Sequence, residues 1–197
     1  MFYEFNHRHT PCTIPQTSGN LDVEENVILS RETKATTVMG KEYVYNGLFA
    51  PTSVVQLGDI VQTDASFLVL TMRPTVDRDK YCSLLKSNTI IEVQRQTQAY
   101  DDNYNPIGSQ QFVTVVSDVI CFAQFVTADM RQSDPGLLPT TEYVLVLQTS
   151  VDVKRAQDNN PKAPDRIILD GRAFKVDAVD GIKYPNLLHV QLSEDTR

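Results

Sequence analysis

The sequence predicts an all-β protein: small β-barrels of antiparallel strands, with one short helix and an extended N-terminal arm. Three observations carry this expectation. Asp170-Gly171 stands between two β-prone runs, and a type I′ hairpin turn needs positive φ at both central positions, which Asp-Gly tolerates. A third run, Leu187 to Leu192, follows after a further turn, so residues 164–192 read as a three-stranded meander. Elsewhere, short apolar runs with period two alternate with turn residues at intervals of about 8–15 residues, and about eight to ten strands result. That spacing fits a barrel or a pair of small barrels.

A weaker copy of the meander's first hairpin lies at residues 58–70. Laid on the C-terminal segment, Asp59 meets Asp165, and one residue of slack in the turn brings Phe67 onto Phe174 and Val69 onto Val176. A true duplication and a coincidence between two strand-turn-strand units both account for this. Under the first, the chain holds two related β-modules, about 38–98 and 112–197, within a barrel body of 31–197.

Residues 1–30 are polar, contain Pro11, Pro15 and Gly19, and sustain neither helical nor strand period. They read as an extended arm, whose ordering entropy calls for a docking surface such as a neighbouring subunit. Phe2, Tyr3 and Phe5 are its candidate contact residues. A short strand is expected from Val38 to Val44, then a turn at Asn46-Gly47, then the first hairpin from Leu57 to Met72. Thr75 reads as the cap of a helix through Lys86, with Asp77 and Asp79 in its first turn and Tyr81, Leu84 and Leu85 on one face.

Residues 89–98 alternate as a strand. The polar stretch 99–111 follows as a long loop, and 112–126 as an apolar strand bent or bulged near Ser117-Asp118. A hairpin tip of this length is more often functional or interface-forming than idle. Residues 129–139 read as a connection, 143–153 as a strand, and 152–164 as a second polar loop before the meander.

Bulk properties exclude several classes. No run approaches the roughly 18 apolar residues of a membrane span, and the first residues lack the basic start and apolar core of a signal peptide. Three widely spaced cysteines, Cys12, Cys82 and Cys121, read as free thiols in a reducing compartment. A net charge of −7 disfavours a groove that grips nucleic acid, because tight phosphate binding needs clustered Lys and Arg. It is compatible with DNA that slides past without sticking.

Catalytic patterns are equally sparse. His7, His9 and Cys12 have ligand-like spacing, but no fourth ligand lies nearby, so solvated arm residues are the plainer reading and no metal or other cofactor is expected. Asp101 and Asp102 are adjacent, and neighbouring side chains on an extended chain diverge; the loop also lacks the calcium-binding spacing with a distal Glu. No nucleophile elbow accompanies the three histidines, and His189 sits in an expected strand. With no P-loop, dinucleotide fingerprint or CxxC pair, the expectation is a non-enzymatic structural or interaction protein.

The C-terminal residues Asp165 to Leu169, Asp170-Gly171, Phe174-Lys175-Val176 and Leu187 to Leu192, with Gly58-Asp59-Ile60-Val61 and Phe67-Leu68-Val69 in the first module and the run Asn88 to Arg95, resemble the head-closure or stopper class of head-to-tail connector proteins in tailed bacteriophages. Residues 164–192 match best. Pro164 stands where Gly is usual, and the chain is longer than a single stopper barrel, which leaves stopper, adaptor, tail terminator and other tail-tube-proximal protein open.

The resemblance implies a homo-oligomeric ring in the virion neck or tail, assembled in the host cytoplasm. Its partners would be neighbouring connector, adaptor or portal rings and tail proteins, with transient, non-specific passage of double-stranded DNA and no membrane. The ring would form part of the DNA channel, with its closure left open. Inter-subunit or channel contacts fall on Tyr100, Asp101, Asp102, Asn103, Tyr104 and Asn105, and on Lys154, Arg155 and Lys162 in the second loop. An alternative of another class is a carbohydrate- or ligand-binding β-barrel module using the tyrosines and the Asp-Asn tip as a polar face; the absence of Trp weakens it.

Overall fold

The computed structural model describes residues 2–15, 21–32, 42–101, 103, 105–159 and 162–197. The chain forms two compact units: Met1–Asn88 with Gln148–Ser150 and Gly181–Leu187, and Thr89–Leu147 with Val151–Asp180 and Leu188–Arg197.

The first unit contains a closed antiparallel barrel of six strands in the order β1-β2-β3-β6-β5-β4: β1 (Thr10–Ile14), β2 (Val23–Arg31), β3 (Val44–Phe49), β4 (Ile60–Gln62), β5 (Ser66–Pro74) and β6 (Lys80–Lys86). Alternate residues turn inward, as the strand period requires. Ile14, Val27, Phe49, Val61, Val69 and Leu84 fill the interior, all fully buried. Much of the stretch expected as an extended arm is therefore barrel wall. Pro11 and Pro15 interrupt the period in sequence, yet Pro11 is accommodated within β1, opposite Asn26.

Before β1, a 3-10 segment (Phe2–Arg8) folds back onto the same unit. The Phe2 N–H donates to Asp79 Oδ2 at 2.9 Å, and its ring stacks on His9 with centroids 4.2 Å apart.

Two further segments differ from expectation. The helix expected over 75–86 is a tight turn followed by β6. Arg78 adopts φ 65° and its N–H donates to Thr75 O at 3.1 Å, after which Cys82 and Leu84 point into the core. The Asn46-Gly47 turn is instead the middle of β3, where Gly47 lets Leu84 pack against the backbone. Of the strand expected over 38–44, residues 38–41 lie outside the described residues.

Another closed barrel, most of whose residues belong to the second unit, has the order β10-β11-β12-β9-β8-β7: β7 (Thr89–Tyr100), β8 (Pro106–Phe125), β9 (Tyr143–Gln148), β10 (Arg166–Leu169), β11 (Arg172–Tyr184) and β12 (Leu187–Glu194). Read around the ring from its own first strand, the order is 1-2-3-6-5-4, the same as in the first barrel. Val93, Cys121, Leu145, Ile167, Phe174 and Val190 form its core. The short helix α1 (Ala128–Ser133), capped by Thr127, lies in the stretch expected as a connection, and buries Met130 against Val126 and Val144.

The C-terminal meander is present as expected. Asp170 and Gly171 both have positive φ, 49° and 73°, and Leu169 pairs with Arg172 across the turn. Its likeness to residues 58–70 extends to single hydrogen bonds. Val61 lies opposite Phe67 as Ile167 lies opposite Phe174, and the Val69 N–H donates to Asp59 O at 3.0 Å just as the Val176 N–H donates to Asp165 O at 3.0 Å. The slack residue is real: residues 63–65 join β4 to β5, and only Asp170-Gly171 joins β10 to β11.

Candidate functional site: the β7–β8 ribbon and its root

β7 and β8 pair with each other well beyond their pairings with β10 and β9. β10 pairs with β7 only from Ile91 to Gln94, and β9 pairs with β8 only from Phe122 to Phe125. The β7–β8 pairing itself runs on to Tyr100 opposite Pro106. The polar stretch expected as a long loop is thus mostly strand: the tip is 101–105, and the two arms continue past the barrel pairings as a two-stranded ribbon. Polar composition hid the strands because neither face of a projecting ribbon needs an apolar stripe.

β8 carries the bulge expected near Ser117-Asp118. Val116 pairs with Val93 and Val119 with Ile91, which leaves an extra residue, and Asp118 takes φ 57°. A second irregularity between Val93 and Gln94 adds Val115 to the outer strand. Bulges increase local twist and re-aim a strand, and these lie where the hairpin leaves the barrel.

At the tip, Asp101 organises the turn. Its Oδ1 accepts from the Asn103 N–H at 2.9 Å and the Asn105 N–H at 2.7 Å, and its Oδ2 from Asn105 Nδ2 at 3.0 Å. The Asn105 side chain and backbone hold the Asp101 carboxyl below the usual carboxylate range. Asn103 and Asn105 are exposed, and Tyr100 ends β7. Asp102 and Tyr104 lie outside the described residues. Asp101 is thus engaged in closing the turn.

The root is built from ionic and aromatic contacts. Arg95 on β7 donates Nε to Asp165 Oδ1 at 2.9 Å and an Nη to Asp165 Oδ2 at 2.8 Å, with further bonds to Asp152. Asp165 is fully buried, and it also accepts from the Lys154 N–H and from Asn159 Nδ2, both at 2.8 Å. A buried carboxylate needs this full complement, and removal of one partner of such a pair costs about 3–5 kcal/mol. On β8, Phe112 lies under two guanidinium groups: the Arg166 carbon is 3.5 Å and the Arg197 carbon 5.2 Å from its ring centroid.

Both arginines converge on Asp195, with Arg166 Nε to Oδ2 and Arg197 Nε to Oδ1 each at 2.8 Å. Burial alone would raise the Asp195 carboxyl, but hydrogen bonds from Arg197 and Arg166 outweigh it and hold the group far below the usual range.

The remaining sequence candidates are distributed differently. Lys154 pairs with Asp152 at 3.4 Å and Arg155 with Asp158 at 2.8 Å, so the loop spends part of its positive charge on itself; Lys162 is exposed. Phe2 is buried against its own barrel and is corrected as an inter-subunit contact, whereas Tyr3 and Phe5 remain exposed. His9 Nε2 lies 3.2 Å from Phe2 O, Cys12 is buried, and no group of three possible metal ligands occurs among the described residues. The Asp165-Arg95 and Arg166-Asp195 pairs went unrecognised in the sequence because their partners lie 70 and 29 positions apart.

No protein-family model matches the chain, and no curated protein matches it.

Proposed function

We propose that the chain is a structural, non-enzymatic subunit of the neck of a tailed bacteriophage, assembling into a ring that joins the DNA-filled head to the tail and forms part of the DNA channel. The observation that carries this reading is the β7–β8 ribbon on a closed barrel. A closed barrel offers no free sheet edge, so assembly contacts fall to its loops and to the ribbon. The ribbon exposes Ile107, Val113 and Val115, and a two-stranded hairpin is marginal unless something packs on it.

Its charge supports the same reading. Between Thr97 and Gln111 the charged residues are Asp101 and Asp102, both acidic. An acidic surface repels phosphates and lets a duplex pass, where a basic one would hold it. Rings use two different complementary surfaces per subunit, and the ribbon and the 152–164 loop supply candidates for them.

Electron microscopy of the purified protein mixed with its portal or connector partner tests the proposal. Uniform rings stacked on the portal are expected; a protein that stays monomeric and unbound beside the assembled portal would overturn it.

A further inference from the structure

We propose that the dipeptide Asp165-Arg166, at the start of β10, grips both strands of the ribbon at its root, one strand from each face, and so sets the direction in which the ribbon leaves the barrel. Neighbouring residues on an extended chain point to opposite faces. Asp165 takes Arg95 on β7 through two hydrogen bonds. Arg166, on the other face, lies 3.5 Å above the Phe112 ring on β8.

The two gripped positions sit at adjacent levels of the ribbon. Arg95 pairs with Val113 and Gln96 with Phe112, so Arg95 and Phe112 also face opposite ways. The grip on β8 is itself held rigid: Asp195 binds Arg166 Nε at 2.8 Å, and Arg166 donates to Arg197 O at 2.8 Å. The pairing of β7 with β10 ends at Gln94, one residue before this level, which makes it the last place where the barrel can steer the hairpin.

The first barrel shows what is special to the second. Asp59 occupies the place of Asp165 but accepts the nearby Gln56 N–H at 2.8 Å, and Ile60 stands where Arg166 does. The aspartate belongs to the shared hairpin, and the arginine is an addition in the barrel that carries the ribbon.

The ribbon's use as an assembly contact rests on the neck-subunit reading, but the grip does not. Hydrogen exchange on the purified full chain tests it, comparing amides of 97–100 and 107–111 with core amides of Val93, Leu145 and Val176. Phe112→Leu keeps the ion pairs and an apolar side chain but removes the aromatic face; it is expected to speed ribbon exchange about tenfold, the scale of one partly desolvated cation–π contact, with core amides unchanged. Phe112→Tyr is expected to restore the wild-type rate, and Arg95→Gln to loosen the ribbon from the other face. Unchanged ribbon exchange in Phe112→Leu, core amides that speed up with the ribbon in that variant, equal behaviour of the Leu and Tyr variants, or wild-type ribbon exchange in Arg95→Gln would each overturn the grip. If the ribbon loosens as expected while heads and tails still join normally, the grip stands and the ribbon's use as an assembly contact fails.

Discussion

Gly47 and Gly171 are both glycines of β-hairpin regions, but they answer to different constraints. A Cβ on Gly47 would lie 2.7 Å from Leu84 Cδ1 and 3.1 Å from the Phe49 ring, and Leu84 is fully buried, so it has little room to move aside. Gly47→Ala is expected to destabilise by about 1–3 kcal/mol through overpacking. In urea melts, the double variant with Leu84→Val should lose less than the sum of the two single changes, because the shortened side chain makes the room. A Cβ on Gly171 meets nothing within 4 Å, so Gly171→Ala pays only for its φ of 73°, roughly 1–2 kcal/mol. The cysteines belong to the same scale. Burial pushes the Cys82 and Cys121 thiols up to about 12, and burial followed by the Glu25 charge pushes Cys12 up to about 11. At pH 8 a thiol reagent should therefore modify all of them only at the rate of unfolding; fast labelling of native protein would contradict their placement in the cores.

At the scale of elements, the errors of a sequence reading share one cause: local pattern is ambiguous until a tertiary partner selects one period. Residues 80–86 place Tyr81, Leu84 and Leu85 on a helical face, but the same residues place Cys82 and Leu84 inside a strand, and pairing on both sides with β3 and β5 selects the strand. Asp79, expected as a first-turn helix acid, is instead buried beneath the Phe2 N–H. By contrast, Asp170-Gly171 was legible because its signal is a backbone requirement met by two adjacent residues. The outgoing end of β12 yields a pH prediction. Asp195 is held below its ordinary value of about 3.8 in the fold, so its contribution to stability is present above the unfolded value and is lost as pH falls through about 4 and below. Asp195→Asn should flatten the acid limb of a stability-against-pH curve and lower the plateau at pH 7, since Arg166 and Arg197 lose their counter-charge. An acid limb identical to that of the wild type would show that other carboxylates govern acid unfolding.

At the scale of the whole molecule, the match between 58–70 and the C-terminal hairpin marked equivalent places in two barrels with one strand order. The rest of the equivalence was hidden because β1 and β2 are interrupted by proline and polar residues, while β7 and β8 are lengthened into the ribbon. Of the candidate site, the tip residues were legible from composition, and the root was not, since its ion pairs form only after the barrel closes. Because the tip closes on itself through Asp101, it can be exchanged without disturbing the arms. Replacement of 101–105 by Asn-Gly supplies a type I′ turn suited to a two-residue hairpin and removes the acidic pair. The thermal midpoint is expected to stay within a few degrees of the wild type and rings are expected to form, because both barrel cores lie elsewhere. On the proposed neck-subunit reading, what should be lost is head-to-tail joining or retention of packaged DNA, scored by complementation of a phage lacking the protein. Full complementation by the exchanged chain would remove the tip from the function and return the 152–164 loop as the contact to test.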